Sequence, residues 1–177
     1  KLEREMGSDV IMTRENDTFV PLETRTAIAN QSEADLFLSI HANASHMNSI
    51  RGFETYFLNL TESREDLHVA TRENATSQGY ISELQNIVSK IMLRDKMEES
   101  REFATHIQQS MATSKQFGKD RGVKQAPFVV LIGANMPAIL AEISFISNPV
   151  DEQLLKDENR RQQIADALLE GVRSYSN

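Results

Sequence analysis

The chain's apolar residues follow two periods. Asp35 to His41 is apolar on both faces, the mark of a central strand in a sheet covered by helices, and Ala138 to Ile143 has the same character. Asp9 to Thr13, Arg51 to Leu58 and Ala126 to Leu131 are shorter strand patterns, the first followed by the polar turn Arg14 to Thr18. Helical spacing takes over elsewhere. Pro21 opens a helix that runs through Ala27, Ile28 and Ala29 to about Glu33, its ring at a first-turn position where the missing N–H costs nothing. From Thr61 to about Phe117 the pattern is helical and rich in Glu, Arg, Lys and Met, with an interruption at Ser77-Gln78-Gly79. It predicts two long helices with an extra one between them, the middle one striped by Ile81, Leu84, Ile87, Val88 and Ile91. Asn148-Pro149 reads as a helix start, and Asn159 to Tyr175 as a closing amphipathic helix with Ile164, Leu168 and Val172 on one side. Alternating strands and helices predict one three-layer α/β domain over residues 1–177, with a mostly parallel or mixed twisted sheet flanked by helices. Residues 61–117 form a helical insert within it.

Lys1 to Gly7 reads as the last turns of an amphipathic helix closed by a glycine cap. A natural chain rarely starts in mid-helix, so the expectation is that further N-terminal elements, with any targeting signal, lie upstream of Lys1.

Two residues break the apolar pattern. The run Leu36-Phe37-Leu38-Ser39-Ile40 passes directly into His41, followed by Ala42-Asn43, which places an imidazole at a strand end. In Ala138 to Asn148 the odd residue is Glu142, a carboxylate where the alternation calls for an apolar side chain. A histidine at a strand end and a glutamate on another strand suit a hydrolytic zinc site, although one of each does not complete it. Taken singly, His41 also reads as a hydrogen-bonded strand terminus and Glu142 as half of a rim salt bridge. His46, His68 and His106 read as solvated side chains.

Composition narrows the chemistry. A net charge of −7 argues against a general nucleic-acid binder, which needs a basic face. With no cysteine there is no thiolate ligand or nucleophile, so any metal must be held by His and carboxylate. No segment reads as a membrane span.

The ordered passages Thr13-Arg14 to Phe19, Leu22 to Asn30, Ala34 to Ala44 with its Ser-Ile-His-Ala-Asn, Gly52 to Tyr56, Asp120 to Leu131, and Met136 to Pro149 with its Glu-x-x-Phe-x-Ser-Asn cover most of the chain. Together they closely resemble the zinc-dependent N-acetylmuramoyl-L-alanine amidases, which cut between glycan and stem peptide in peptidoglycan. The resemblance implies that His41 is a zinc ligand and that Glu142 is the catalytic carboxylate that activates water. Two further ligands, a His in a Gly-His-Gly-Gly loop and a Glu on the following helix, would lie upstream of Lys1, so residues 1–177 alone are expected to be inactive. Arg72-Glu73-Asn74-Ala75 and Ile81 to Val88 resemble the insert of the Gram-negative periplasmic members that separate daughter cells. There a helix covers the site until an activator protein displaces it. Glu83 is the first candidate for an autoinhibitory ligand, with Glu73, Glu98 and Glu99 as rivals.

The resemblance thus implies a periplasmic or secreted enzyme acting on peptidoglycan, with no nucleic acid and no membrane span. Rival readings are a zinc carboxypeptidase on wall peptides and a non-catalytic wall-binding module. Arg14, Asp17, Glu23 and Arg25 are expected to form an ion-pair network. Asn43 is a loop support or a substrate contact, Ser147-Asn148-Pro149 caps a helix, and Met92, Met97 and Met111 fill core.

Overall fold

A computed structural model describes residues 1–77 and 94–177. Four strands make one sheet: β1 (Phe37–Asn43), β2 (Phe53–Leu58), β3 (Asp120–Ala126) and β4 (Ala138–Phe145), in the order β1-β4-β2-β3. β1 runs parallel to β4, β2 antiparallel to β4 and parallel to β3, so the sheet is mixed.

Helices cover both faces, as the strands' two-sided apolar character requires. One core holds Leu22 and Ala29 of α2 (Leu22–Gln31), Val69 and Ala70 of α3 (Arg64–Glu73), and the sheet residues Phe37, Tyr56 and Leu140. The other packs Phe103, Ile107 and Met111 of α4 (Arg94–Ala112) with Ile164, Leu168 and Val172 of α6 (Glu158–Ser176) against Phe53, Phe57 and Ile139. Leu140 and Ile139 face opposite layers, the period-two alternation of a strand. Between β4 and α6, α5 (Pro149–Lys156) starts at Asn148, whose side-chain oxygen accepts from the N–H groups of Val150 and Asp151 as the sequence anticipates. α1 (Leu2–Met6) ends on Gly7 in the left-handed conformation, φ 68°, also as anticipated.

Several expectations need correction. Residues 9–13 are not a strand: Val10, Ile11 and Met12 are exposed, and among the described residues no neighbouring strand pairs with them. The pattern placed at Ala126 to Leu131 belongs to a strand that ends at Ala126. Pro127 has no N–H to continue a ladder, and Val129–Leu131 form a buried 3-10 turn. β1, expected to be central, has only β4 as a partner among the described residues, and Ile40 is half-exposed. Arg14 reaches Asp17 at 3.9 Å and the Thr18 carbonyl at 3.4 Å, while Arg25 donates to the Val20 carbonyl and Glu23 accepts from the Ser77 hydroxyl, so these four form separate contacts and no network. Met111 is core and Met97 half-buried, while Met92 lies outside the described residues. The expected middle helix with its Ile81–Ile91 stripe also lies outside them.

Gly52 shows how tightly β2 is launched. Its φ is 116°, and a Cβ there would sit 2.0 Å from the Lys119 carbonyl oxygen, so only glycine lets the strand enter beside that backbone.

Candidate active site

Parallel pairing of β1 with β4 puts His41 opposite Glu142, near the C-terminal ends of both strands. On the other side of β4, antiparallel pairing puts Glu54 of β2 opposite the same Glu142. All three share the parity of Phe37, Tyr56 and Leu140, and therefore face the α2/α3 layer. The last residue of α3, Glu73, completes the group from above, its Oε2 2.8 Å from His41 Nδ1. One ligand atom from each of His41, Glu73 and Glu142 lies within 4.8 Å of the others. No other such cluster occurs among the described residues.

Glu142 is 1% exposed, and neither carboxylate oxygen has a hydrogen-bond partner among the described residues. Burial pushes its carboxyl well above the ordinary range; the charges of Glu73 and Glu54 add to the effect and Arg72 opposes it. Glu73 behaves differently. Burial would raise it, but the hydrogen bond and charge of His41, together with Arg72, outweigh burial and hold it below its ordinary value. A buried orphan carboxylate beside an imidazole and a second carboxylate is the donor chemistry that a hard or borderline cation compensates.

Around this triad lies a fully partnered shell. Glu54, also 1% exposed, accepts from Asn43 Nδ2 at 2.8 Å, Tyr56 Oη at 2.9 Å, Arg121 Nε at 2.9 Å and Lys124 Nζ at 2.9 Å. Lys124 also reaches Asp66 at 3.1 Å, and Arg121 reaches Glu65 at 2.6 Å. Asn43 is completely buried and its Oδ1 accepts from Arg72 Nη2 at 2.7 Å. Both ends of its amide are therefore occupied, which makes it a support of the β1 end and not a substrate contact.

The sequence-predicted residues thus divide. His41 and Glu142 come together. Glu83 lies outside the described residues, while its rivals separate: Glu73 meets His41, whereas Glu98 pairs with Arg101 and Glu99 with Lys96 on α4. His46 and His68 are exposed, as expected. His106 is not solvated as expected: it is half-buried, its Nδ1 2.8 Å from Ser174 Oγ and its ring against Tyr175. Sequence reasoning overlooked Glu54, Arg121 and Lys124. Their signal was a carboxylate in an apolar strand facing a strand with two cations at i and i+3.

A sequence model described as N-acetylmuramoyl-L-alanine amidase matches residues 1–174. Among relatives, the amidase AmiC of Neisseria meningitidis is 35% identical over 97% of this chain and 43% of its own length. AmiA of Escherichia coli is 34% identical over 97% of this chain and 62% of its own. The crystal structure of an N-acetylmuramoyl-L-alanine amidase from Clostridium difficile superposes with a TM-score of 0.69 at 28% identity, covering 94% of this chain and 71% of that one. The chain spans less than two thirds of the length of these two curated relatives. With the match running over nearly every residue and the His-Glu pair assembled where two parallel strands end, the chain belongs to the N-acetylmuramoyl-L-alanine amidase family.

Proposed function

We propose that the protein is a zinc-dependent hydrolase of peptidoglycan that cuts the amide between the lactyl group of N-acetylmuramic acid and L-alanine of the stem peptide. The observation that carries the reading is Glu142, a buried carboxylate with two unpartnered oxygens in register with His41. His41 would hold the zinc from this chain, together with the further His and Glu that the family resemblance implies, and Glu73 would occupy the position that substrate or water needs. Bound there, zinc would supply Lewis acidity, which lowers the pKa of water and polarises an amide carbonyl. Glu142 would take a proton on one Oε as water attacks the lactyl carbonyl carbon. As the C–N bond breaks, the same carboxyl passes that proton to the alanine nitrogen. A carboxyl raised above its ordinary range holds a proton more readily than a free carboxylate, which suits both halves of this transfer.

The reading extends to regulation. Glu73 stands where an autoinhibitory carboxylate is required, tied to His41 and flanked by Arg72, which also donates to the Ala44 carbonyl. Within a helical insert of about residues 61–117, an activator protein that moves the C-terminal turn of α3 would free the site for substrate. Peptidoglycan as substrate places the enzyme in the periplasm or outside the cell, in wall remodelling and daughter-cell separation. No helix among the described residues is long and apolar enough to cross a membrane.

The deciding experiment is digestion of purified peptidoglycan by the longest natural form of the protein, with and without zinc. An amidase frees the L-alanine amine and a lactyl carboxylate in a chelator-sensitive way. Release of a terminal amino acid would mean a carboxypeptidase, and binding without any product a non-catalytic module.

A further inference from the structure

Glu54 is a buried anion that touches neither His41 nor Glu73, yet a continuous chain of hydrogen bonds joins it to both. Its Oε1 holds Asn43 Nδ2 at 2.8 Å; Asn43 Oδ1 accepts from Arg72 Nη2 at 2.7 Å; Arg72 Nε donates to Glu73 Oε1 at 3.2 Å; and Glu73 Oε2 lies 2.8 Å from His41 Nδ1. The chain leaves β2, crosses the end of β1, climbs to the last turn of α3, and returns to β1. It also ends at an irregularity, because His41 to Asn43 on β1 runs opposite Glu142 to Phe145 on β4, which places one extra residue on β4 just after Glu142. Bulges re-aim side chains, and one beside a site has to be held in a single form.

Asn43 holds this one. Its side chain is locked from both ends, and its carbonyl accepts the Ile146 N–H at 2.7 Å. We propose that Glu54 is a positioning residue of the site: through Asn43 it fixes the end of β1, where its register with β4 shifts, and the Arg72-Glu73 turn, and so sets the spacing of His41, Glu73 and Glu142. The role rests on the hydrolase reading above. It requires a carboxylate, because one side chain must accept four donors at once, two of them cationic; a glutamine would turn its NH2 either towards both Arg121 and Lys124 or towards Asn43 Nδ2 and Tyr56 Oη. Those cations balance Glu54's charge and have second partners in Glu65 and Asp66, so the shell stays anchored on α3 as well. Stability alone is a poor reason for so many buried charges, since a buried ionic cluster commonly stabilises no more than apolar packing of the same volume; its gain is a defined geometry.

The test uses Glu54→Gln and Asn43→Ala in the longest natural form of the protein. Asn43→Ala removes only the link and leaves Glu54 its other three donors, so it reports even where Glu54→Gln fails to fold. Gly171→Ala, in the opposite helical layer, serves as a destabilised control. Outer-shell supports of this kind typically change metal affinity or activity about 10- to 100-fold. The expected result is therefore a zinc dissociation constant raised about tenfold, with kcat lowered by a similar factor and KM within about twofold. The control should lose stability and leave all three unchanged. In the metal-free protein, long-range proton–nitrogen spectra should show the His41 imidazole shifted or exchange-broadened in both variants. Folded variants whose His41 signals match the wild type would overturn the proposal. That readout needs neither zinc nor turnover, so it separates failure of the positioning role from failure of the hydrolase reading.

Discussion

Glu54 and Glu142 face each other across the antiparallel β2–β4 pair, each 1% exposed, yet Glu54 accepts four hydrogen bonds and Glu142 accepts none. Two carboxylates in one layer of one sheet thus have opposite environments. On the proposed reading the contrast separates a support from a reacting group, since only the unpartnered carboxyl is free to take up a proton.

Glu142 should therefore cost stability while it serves function. Its folded pKa lies above the unfolded one, so the folded state binds the proton more tightly and stability falls as pH rises through the range above about 4.5. Glu142→Gln should abolish hydrolysis and stabilise the metal-free protein at neutral pH by about 1–2 kcal/mol. The difference should vanish in acid, where both side chains are neutral. Urea unfolding of the two proteins at neutral and acidic pH checks this. A neutral-pH midpoint that is unchanged or lowered would mean that Glu142 has a partner in solution.

This pair also marks how far the sequence could be read. β1 and β4 were legible because continuous apolar runs have few alternatives, and His41 and Glu142 stood out as the exceptions within them. Glu54 sits in a run as apolar as theirs, but its meaning depends on Arg121 and Lys124, almost seventy residues away. β3 was hidden because it is an edge strand among the described residues, and its polar, half-buried residues lack the apolar signature. Val10 to Met12 misled in the opposite direction: a strand needs a partner as well as a pattern. Glu73 was visible only as one of four acidic candidates, because the spacing of a helix does not say which turn will meet a strand on another layer.

Replacing Glu73 tests the regulatory reading. Glu73→Ala removes the carboxylate from His41 and leaves the Arg72 bonds to Asn43 and Ala44 in place. Basal hydrolysis of peptidoglycan should rise on the order of tenfold, the change expected when a contact worth about 1.4 kcal/mol no longer favours the closed state. Adding an activator should then give a smaller further gain. Basal activity that falls together with zinc content would instead make Glu73 a ligand of the working site.

The shell around Glu54 predicts an alkaline weakness. Burial and the neighbouring carboxylates, Glu54 first, push the Tyr56 hydroxyl far above its ordinary 10.0. For Lys124 burial acts downwards, but the bonds to Glu54 and Asp66 win and raise it above 10.5. Both groups keep protons in the folded state at a pH where the unfolded chain releases them, so their contribution is intact below about pH 10 and is lost as pH rises beyond it. Each such proton steepens the decline by about 1.4 kcal/mol per pH unit. Tyr56→Phe should make the decline shallower by up to one proton, measured by urea midpoints between about pH 9 and about pH 11. An unchanged slope would place Tyr56 outside the buried shell.

The helical layer on the other face depends on one close approach. Gly171 of α6 lies against α4, where an added Cβ would meet Ile107 Cδ1 at 2.7 Å and Ile107 Cα at 2.8 Å. The first atom can rotate away; the second is backbone and cannot, so the helices would have to separate. Against this, alanine gains up to about 1 kcal/mol of helix propensity over glycine. Overpacking of a buried helix contact costs about 1–3 kcal/mol, and here it also disturbs Phe103 and Tyr175, whose rings are 5.0 Å apart in the same interface. The clash should win, giving a net loss of about 1–2 kcal/mol and a melting temperature lower by about 2–8 °C for a chain of this length. His41 and Glu142 sit across the sheet from this contact, so zinc binding should not change. A Gly171→Ala protein as stable as the wild type would show that α4 and α6 lie further apart than the structure places them.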